Sequence, residues 1–271
     1  MSLAIIDRRN NSIVSSQPVE DSQNPSILPP PDTFIWHYVR FEYLKAVLKN
    51  KALWLTRLDK QSDKNDGMYS NANSHQWTDV MQELMERSGC NIQRGKDDES
   101  QIQWTNNILR ARTFIHCWSI RGRESARMWN AFVSGEARSI ALRCTVGCLM
   151  TALRGQPVEF ARMLYYSHGQ PRPDWSYTAP FTAKDKEAHI HERELRVMTM
   201  LDNDASETLD HRLIPVDLKT LIRKVVLHPA SPPSFRLEVR NELKAHGISA
   251  HVAGSQLRMY DLEADAFRRL H

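Results

Sequence analysis

The sequence lacks the features that mark several large classes of protein. No run approaches the roughly 18 apolar residues of a membrane-spanning helix, and the first residues lack the long apolar segment of a secretory signal. There is also no glycine-rich phosphate loop, no nucleophile elbow and no GxGxxG motif. We therefore expect a cytoplasmic protein with no membrane partner, or one that is exported as an effector by another route.

Cysteine is scarce and charge is nearly balanced. The four cysteines form no CxxC pair, and two of them, Cys117 and Cys144, fall on strands that the apolar pattern predicts to be buried. This favours reduced packing thiols over disulfides or a zinc site. A formal charge of +4 and a pI near 8.9 are compatible with an anionic ligand but do not require nucleic acid.

The first 32 residues differ in composition from the rest. They are rich in Ser, Asn, Gln and Pro and show no apolar period, which predicts a disordered tail over 1–32, or a delivery or docking signal there. The remaining residues, 33–271, are long enough for one large core, and helical and strand patterns are mixed along them. We predict a single α+β domain with a mixed, mainly antiparallel sheet flanked by helices.

The most densely apolar stretch runs from Thr113 to Cys144 and predicts a strand, a short helix and a second strand. On the helix, Met128, Trp129 and Phe132 recur three and four residues apart, so we expect all three to be buried on one face. Elsewhere the patterns predict a strand at 34–40, helices at 41–50, 146–153, 181–191 and 261–270, two helices between 74 and 112, and strands at 160–166 and 194–200.

Glu192 and Glu194 in HERELR are the sharpest candidates for chemistry. They are one residue apart where a helix gives way to a strand, so both side chains would emerge on one face if the strand had begun. Two carboxylates so close could serve as acid, base or hydrogen-bond acceptor. The alternative is a surface pair balanced by Arg193 and Arg196.

Basic residues supply further candidates. His37 and Arg40, on the first strand, could hold a phosphate or a ribose hydroxyl, although a core histidine is the alternative. His189 and His191 would not share a helix face and have no third ligand at a suitable spacing, so we expect no metal site. A last group lies at the start of the central helix and could bind an anion or form a solvated face: Arg121, Arg123 and Arg127.

In the order of its motifs the sequence resembles the bacterial domain-of-unknown-function 2971 family, from Phe34 to about Arg258. The aromatic, basic, aromatic strand of that family is echoed by residues 36–38, and its acidic turn by DKNDG, in which Asp63 and Gly67 match. The remaining matches are Cys117, Trp118, Ser119, Met128, Trp129, Lys184, Glu192, Glu194 and Arg196.

This order of parts is in turn similar to the ADP-ribosyltransferase superfamily, and the similarity implies roles for individual residues. His37 or Arg40 would hold NAD, Ser119 would be the hydroxyl of the middle strand, and Glu194, with Glu192 beside it, would be catalytic. A carboxylate there would stabilise the positive ribose carbon that forms as the nicotinamide bond breaks. The aromatic residues that could flank the nicotinamide ring are Tyr38, Trp118 and Tyr166.

The resemblance therefore implies an NAD-dependent ADP-ribosyltransferase-like protein that modifies a protein or nucleic acid, as a bacterial toxin, effector or phage-defence component. Two alternatives stay open. One is a non-enzymatic module that binds a nucleotide or nucleic acid through the arginines at 121, 123 and 127 and the aromatic residues. The other is a structural interaction domain with neither ligand.

Overall fold

The computed structural model describes residues 28–68, 107–167, 181–201 and 209–270, and the backbone of two short strands near the start of the chain. Those strands, β1 (Ile5–Asp7) and β2 (Ser12–Val14), pair with each other antiparallel and form a sheet of their own. The prediction of a tail over 1–32 stays a prediction. Most of the two helices expected between 74 and 112 lies outside the described residues, although 107–112 is helical.

Nine of the described strands form one large sheet. They are β3 (Phe34–Arg40), β4 (Ala52–Arg57), β5 (Thr113–Ile120), β6 (Ser139–Thr145), β7 (Glu159–Arg162), β10 (Glu194–Met200), β11 (His211–Pro215), β12 (Lys224–Leu227) and β13 (His251–Ala253). Their order is β11-β4-β5-β3-β6-β12-β13, with β10 paired to β5 and β7 paired to β10. Only β12 and β13 are parallel neighbours in it. A second pair, parallel, consists of β8 (Leu164–Tyr166) and β9 (Ala183–Asp185).

Helices cover both faces of the large sheet, so the prediction of a mainly antiparallel sheet flanked by helices is confirmed. One face carries the larger core, to which α1 (Phe41–Asn50), α3 (Val146–Ala152), α5 (Leu218–Leu221) and α6 (Phe235–Ala245) contribute. The other face carries a smaller core beneath α2 (Ala126–Val133) and α7 (Met259–Leu270). A short α4 (Lys186–His189) precedes β10, and a 3-10 turn (Leu58–Lys60) follows β4.

The two faces follow from side-chain alternation on the strands. On β3, Ile35 belongs to the larger core, whereas its neighbours Trp36 and Tyr38 belong to the smaller one. On α2 the helical period buries Met128 and Trp129, but Phe132 is 50% exposed, so the prediction that it is buried was wrong. Phe132 lies instead at the border of a cleft described below.

Two other sequence predictions differ from the structure. The strand expected at 160–166 is broken into β7 and β8. The helix expected at 181–191 is a single turn, α4, which Asp185 caps by accepting a hydrogen bond from the Ala188 amide, and the residues before it form β9. Within the described residues, no helix is both long and apolar enough to cross a membrane.

Gly67 ends the acidic turn and has no room for a side chain. Its φ is +77°, and a Cβ would lie 2.4 Å from Leu58 Cδ2 and 3.1 Å from Phe181 Cδ1. We expect Gly67→Ala to lower the free energy of unfolding by about 1–2 kcal/mol for the left-handed backbone and by about 1–3 kcal/mol more for overpacking. Urea denaturation measures the total.

Gly135 provides the matched control for this substitution. It has nearly the same φ, +76°, but no atom of the described residues lies within 4 Å of its Cβ position. Gly135→Ala should therefore show the backbone part of the loss alone. Equal losses for the two variants would contradict the packing explanation.

Candidate functional site

Three strands bring the candidate residues to one face of the sheet. Glu194 on β10 lies directly opposite Ser119 on β5, and Ser119 lies directly opposite Trp36 on β3. Directly opposite residues on paired strands share a face, so all three side chains lie on the face covered by α2. This is the face that carries the smaller core.

A cleft opens where β3 and β5 separate. The two strands pair only at Ile35–Ile120 and Trp36–Ser119, and β4 takes the far end of the same edge of β5. The free space in this cleft is small, about 20 Å³, which is roughly enough for one water molecule. Its border is formed by Trp36, His37, Tyr38, Cys117, Trp118, Ser119, Met128, Phe132, Glu192 and Glu194.

Glu194 is buried, with only 3% of its surface exposed, and both carboxylate oxygens are hydrogen-bonded. Arg196 Nε donates to Oε1 at 2.7 Å, and Lys184 Nζ donates to Oε2 at 2.8 Å. Burial alone would raise the pKa of Glu194, but the charges of Arg196 and Lys184 outweigh it and lower that pKa below its usual range. The side chain is therefore a fixed carboxylate anion.

The two cations are themselves held by the acidic turn after β4. Arg196 is fully buried and forms a bidentate pair with Asp66, at 3.0 and 2.8 Å, and also donates to the Phe181 carbonyl at 2.8 Å. Lys184 Nζ lies 3.4 Å from Asp66. Burial would lower the pKa of Lys184, but the carboxylates of Glu194 and Asp66 raise it, so it stays protonated.

Glu192 belongs to a second, more exposed part of the same network. Lys184 donates to its Oε2 at 3.0 Å, and His189 Nδ1 donates to its Oε1 at 3.0 Å. The other ring nitrogen of His189, Nε2, lies 3.2 Å from Asp63 Oδ2. Hydrogen bonds to Asp63 and Glu192 raise the pKa of His189 to about 9, so the ring is an imidazolium at neutral pH.

Arg193, between the two glutamates, is responsible for their convergence. Its φ is +46°, a left-handed conformation that is uncommon outside glycine, and its carbonyl accepts a hydrogen bond from the Ile120 amide at 2.8 Å. Because of this turn, Glu192 reaches Lys184 from outside the strand while Glu194 reaches it from the first strand position. The surface-pair alternative does not describe Glu194 or Arg196, which are both buried.

Ser119 ties β5 to this turn. Its hydroxyl donates to the Glu192 carbonyl at 2.7 Å and accepts from Arg121 Nε at 3.1 Å. Arg121 also bonds the His191 carbonyl. Ser119, Glu192 and Glu194 are therefore brought together at one end of the cleft, as the sequence resemblance implies.

The other residues singled out from the sequence are more widely placed. Tyr38 borders the cleft, and its hydroxyl accepts from the Ser125 amide at 3.1 Å. Arg40, two residues further on, is exposed at the end of β3 and is not among the residues that border the cleft. Tyr166 is half-buried on β8, opposite Asp185, whereas its neighbour Tyr165 contacts the site: its hydroxyl accepts from the Glu194 amide at 2.8 Å.

The rings of His37 and Trp118 lie on the opposite face from Ser119 and Glu194, although both residues border the cleft. The ring of His37 packs against those of Tyr43, His116 and Trp118, with centroids 4.3–5.3 Å away. His37 Nδ1 donates to the Cys117 carbonyl at 2.9 Å, across the gap where the β3–β5 ladder stops. Burial lowers the pKa of His37 to about 4, so this ring is neutral, as in the core-histidine alternative.

This arrangement favours electrostatic stabilisation over proton transfer or covalent catalysis. A carboxylate with a low pKa is a poor acid, but it can still accept a hydrogen bond and stabilise a nearby positive charge. Cys117, whose side chain shares the face of Glu194, is a poor nucleophile because burial and the Glu194 charge raise its pKa well above the usual value.

His189 gives the site a measurable dependence on pH. Its folded pKa of about 9 is above the ordinary 6.5, so its contribution to stability is fully present below about pH 6.5 and is lost as pH rises through about 9. We expect wild type to be more stable than His189→Gln at low pH, and this difference to shrink across that window. Urea denaturation at a series of pH values measures it.

Asp63→Asn tests the cause of the shift. It removes the partner that raises the pKa of His189 most. The difference in free energy of unfolding between Asp63→Asn and Asp63→Asn/His189→Gln should therefore change less with pH. If the difference in free energy of unfolding between wild type and His189→Gln stayed constant from pH 6.5 to 9, His189 would not be charged as described.

Comparison with known proteins adds a distant likeness of fold. No protein-family model matches the chain, so the resemblance to the domain-of-unknown-function 2971 family stays a prediction. No curated protein matches its sequence either. Among solved structures, the fold is similar to DarT from Thermus sp. 2.9 in complex with carba-NAD+, with a TM-score of 0.38 and 13% identity over 84% of this chain and 97% of that one.

DarT from the same source in complex with NAD+ gives a TM-score of 0.37 at 12% identity, over 84% of this chain and 98% of that one. Its complex with ADP-ribosylated ssDNA gives 0.38 at 14% identity, over 85% and 97%. Because these TM-scores are low, we draw no conclusion about function from this likeness.

Proposed function

We propose that the protein is an NAD-dependent ADP-ribosyltransferase-like enzyme that modifies a macromolecule. The observation that carries the proposal is the pairing of a buried, permanently anionic Glu194 with Ser119 at the end of a cleft bordered by aromatic residues. A role as a bacterial toxin, effector or phage-defence component is part of the proposal and depends on the sequence resemblance.

The residues of the cleft fit the nicotinamide end of NAD. Glu194 and Ser119 would hold the ribose hydroxyls, and Trp36 and Tyr38 would lie beside the flat nicotinamide ring. The free space of about 20 Å³ is far below the roughly 300–1,000 Å³ of small-molecule sites. Binding of NAD would therefore require the side chains that border the cleft to move.

In the reaction, the bond between the ribose carbon and the nicotinamide nitrogen breaks, and nicotinamide leaves with the bonding electrons. A nitrogen or oxygen of the acceptor then bonds to the ribose carbon and releases its proton to solvent. Positive charge develops on the ribose as the first bond weakens, and the fixed carboxylate of Glu194 stabilises it without reorganising. Lys184 and Arg196 act as positioning residues, because they orient the carboxylate and keep it deprotonated.

Calorimetric titration with NAD tests the proposal. Wild type should bind NAD, and Ser119→Ala should bind it more weakly because the variant has no hydroxyl to bond the ribose. Ser139→Ala is the matched control, since Ser139 is also a buried serine on the large sheet but does not border the cleft. Absence of binding to wild type, or an equal effect of the two substitutions, would refute the proposal.

The non-enzymatic alternative, a nucleotide- or nucleic-acid-binding module, is favoured by one observation. Arg121 lies close enough to Arg193 and Arg127 for their charges to lower its pKa, after the larger effect of burial. Such a cluster attracts anions whether or not the site is catalytic. An oligonucleotide affinity that survives Glu194→Gln, with no NAD binding, would support this alternative.

A further inference from the structure

A continuous row of side chains crosses the sheet from the site to the far edge. The register places six residues directly opposite one another on successive strands, in the order Glu194, Ser119, Trp36, Arg143, Lys224 and His251. All six lie on the face that carries the smaller core, because directly opposite residues share a face. Five strand spacings of about 4.8 Å give the row a length of roughly 24 Å.

The row follows the border of the helical layer on this face. Two positions further along three of the strands, Tyr38, Ala141 and Val226 are buried in the core beneath α2 and α7. In the row itself, Arg143 and Lys224 are half-buried and His251 is exposed. The far half of the row is therefore accessible from solvent.

Basic residues lie both in the far half of the row and beside its catalytic end. Arg143 and Lys224 are adjacent on β6 and β12. Beside the catalytic end, Arg121 is flanked by the charges of Arg193 and Arg127. At that end three carboxylates, Glu192, Glu194 and Asp66, share the two cations Lys184 and Arg196, so the positive charge beside them comes from the three arginines. We call Arg121, Arg143, Lys224 and Arg193 the basic track.

Exposed aromatic rings lie beside the basic track. Phe34 is 41% exposed, and the guanidinium of Arg143 lies over its ring at 3.7 Å. Phe132 is 50% exposed at the border of the cleft. Alternating cations and aromatic rings suit a single-stranded nucleic acid, since phosphates pair with the cations and bases stack on the rings.

We propose that the basic track binds single-stranded nucleic acid and that this strand is the acceptor that reaches Glu194. The acceptor role rests on the proposed function, whereas the binding does not. An acidic protein surface fits less well because it offers no flat groups for Phe34 and Phe132. A duplex fits less well because its bases are already stacked on one another and cannot lie against Phe34 and Phe132.

Fluorescence anisotropy with labelled single strands of about 15 nucleotides, within the site sizes of about 4–16 known for such proteins, tests the binding. Oligothymidylate and oligouridylate are titrated in parallel to tell DNA from RNA, and tight binding of either one supports the proposal. The double substitution Arg143→Gln/Lys224→Gln should weaken binding and reduce the slope of log affinity against log salt by about 0.7 for each phosphate that is no longer neutralised.

Lys49→Gln/Lys244→Gln is the matched control. It removes the same charge from exposed positions on α1 and α6, the helices of the opposite face, and should leave the affinity nearly unchanged. The proposal is overturned if wild type does not bind, if both double variants weaken it equally, or if a duplex or a polyglutamate peptide binds as tightly as the single strand.

Calorimetry with NAD separates this proposal from the proposed function. The double substitution on the basic track leaves Glu194 and Ser119 in place, so it should retain NAD binding while losing nucleic acid. NAD binding without nucleic-acid binding in wild type would overturn the nucleic-acid proposal alone. Nucleic-acid binding without NAD binding would overturn the proposed function and the acceptor role but would leave the nucleic-acid site in place.

Discussion

Glu194→Gln should slow nicotinamide release from NAD by about 10²–10³-fold, the usual effect of removing one preorganised electrostatic group. The substitution keeps the shape and a hydrogen-bonding oxygen but removes the charge that stabilises the ribose cation. NAD affinity should change little, because in the ground state the positive charge lies on the nicotinamide ring and moves onto the ribose, beside Glu194, only in the transition state. Steady-state and single-turnover assays of nicotinamide release separate the two effects.

Two controls make this result specific. Glu42→Gln removes the same charge from an exposed position on α1, on the opposite face of the sheet, and should leave the rate unchanged. Thermal unfolding checks that Glu194→Gln is folded. We expect it to be, because Lys184 and Arg196 keep Asp66 as a partner. A folded variant with an unchanged rate would show that Glu194 is not catalytic.

Arg196→Met should lower the free energy of unfolding by about 3–5 kcal/mol, the usual loss when one partner of a buried ion pair is removed. Arg196 is fully buried, and its charge is shared between Asp66 and Glu194. Burial alone would lower its pKa, but those two carboxylates raise it well above the usual value. Without Arg196, the two buried carboxylates would face each other with Lys184 as their remaining strong cation. Urea denaturation measures the loss.

The companion variants separate this loss from a general effect of removing arginine. Arg138→Met removes an arginine from an exposed pair with Glu238 and should change stability far less. The double variant Asp66→Leu/Arg196→Met removes a carboxylate together with its cation, so it should recover part of the stability. A double variant less stable than Arg196→Met would contradict this description of the buried network.

The local elements of this fold could be predicted from the sequence because their signals are local. Alternation on β3 and β5, and the helical spacing of Met128 and Trp129, depend only on neighbours along the chain. The strand β11 was not predicted, because its residues, such as Leu213, stay half-exposed at the sheet edge and give no apolar pattern.

The candidate site was only partly predictable for the same reason. Their spacing alone identified Glu192 and Glu194 as candidate site residues, and the family resemblance added Ser119 and Lys184. The partner that fixes Arg196 is Asp66, 130 residues away in the chain, and no local pattern reports such a distance. His189 suggested only a metal ligand, although its spacing of three residues from Glu192 was a signal for the ion pair that forms.

Sequence also could not decide which face of β3 meets the site. Alternation divides Trp36 and Tyr38 from His37, but the register with β5 determines which set shares a face with Ser119. That register stops after two pairs, and the resulting gap forms the cleft. The resemblance implied a ligand role for the basic residue of this strand, whereas in the structure its ring fills the gap on the opposite face.

A crystal structure of Glu194→Gln with NAD bound would decide whether this cleft is an active site. We expect the nicotinamide ribose in the cleft between β3 and β5, with a hydroxyl within hydrogen-bonding distance, about 3 Å, of both the new carboxamide and Ser119. We also expect the nicotinamide ring beside Trp36 and Tyr38. NAD bound elsewhere, or bound with its ribose away from position 194, would show that Glu194 and Ser119 do not form the NAD site.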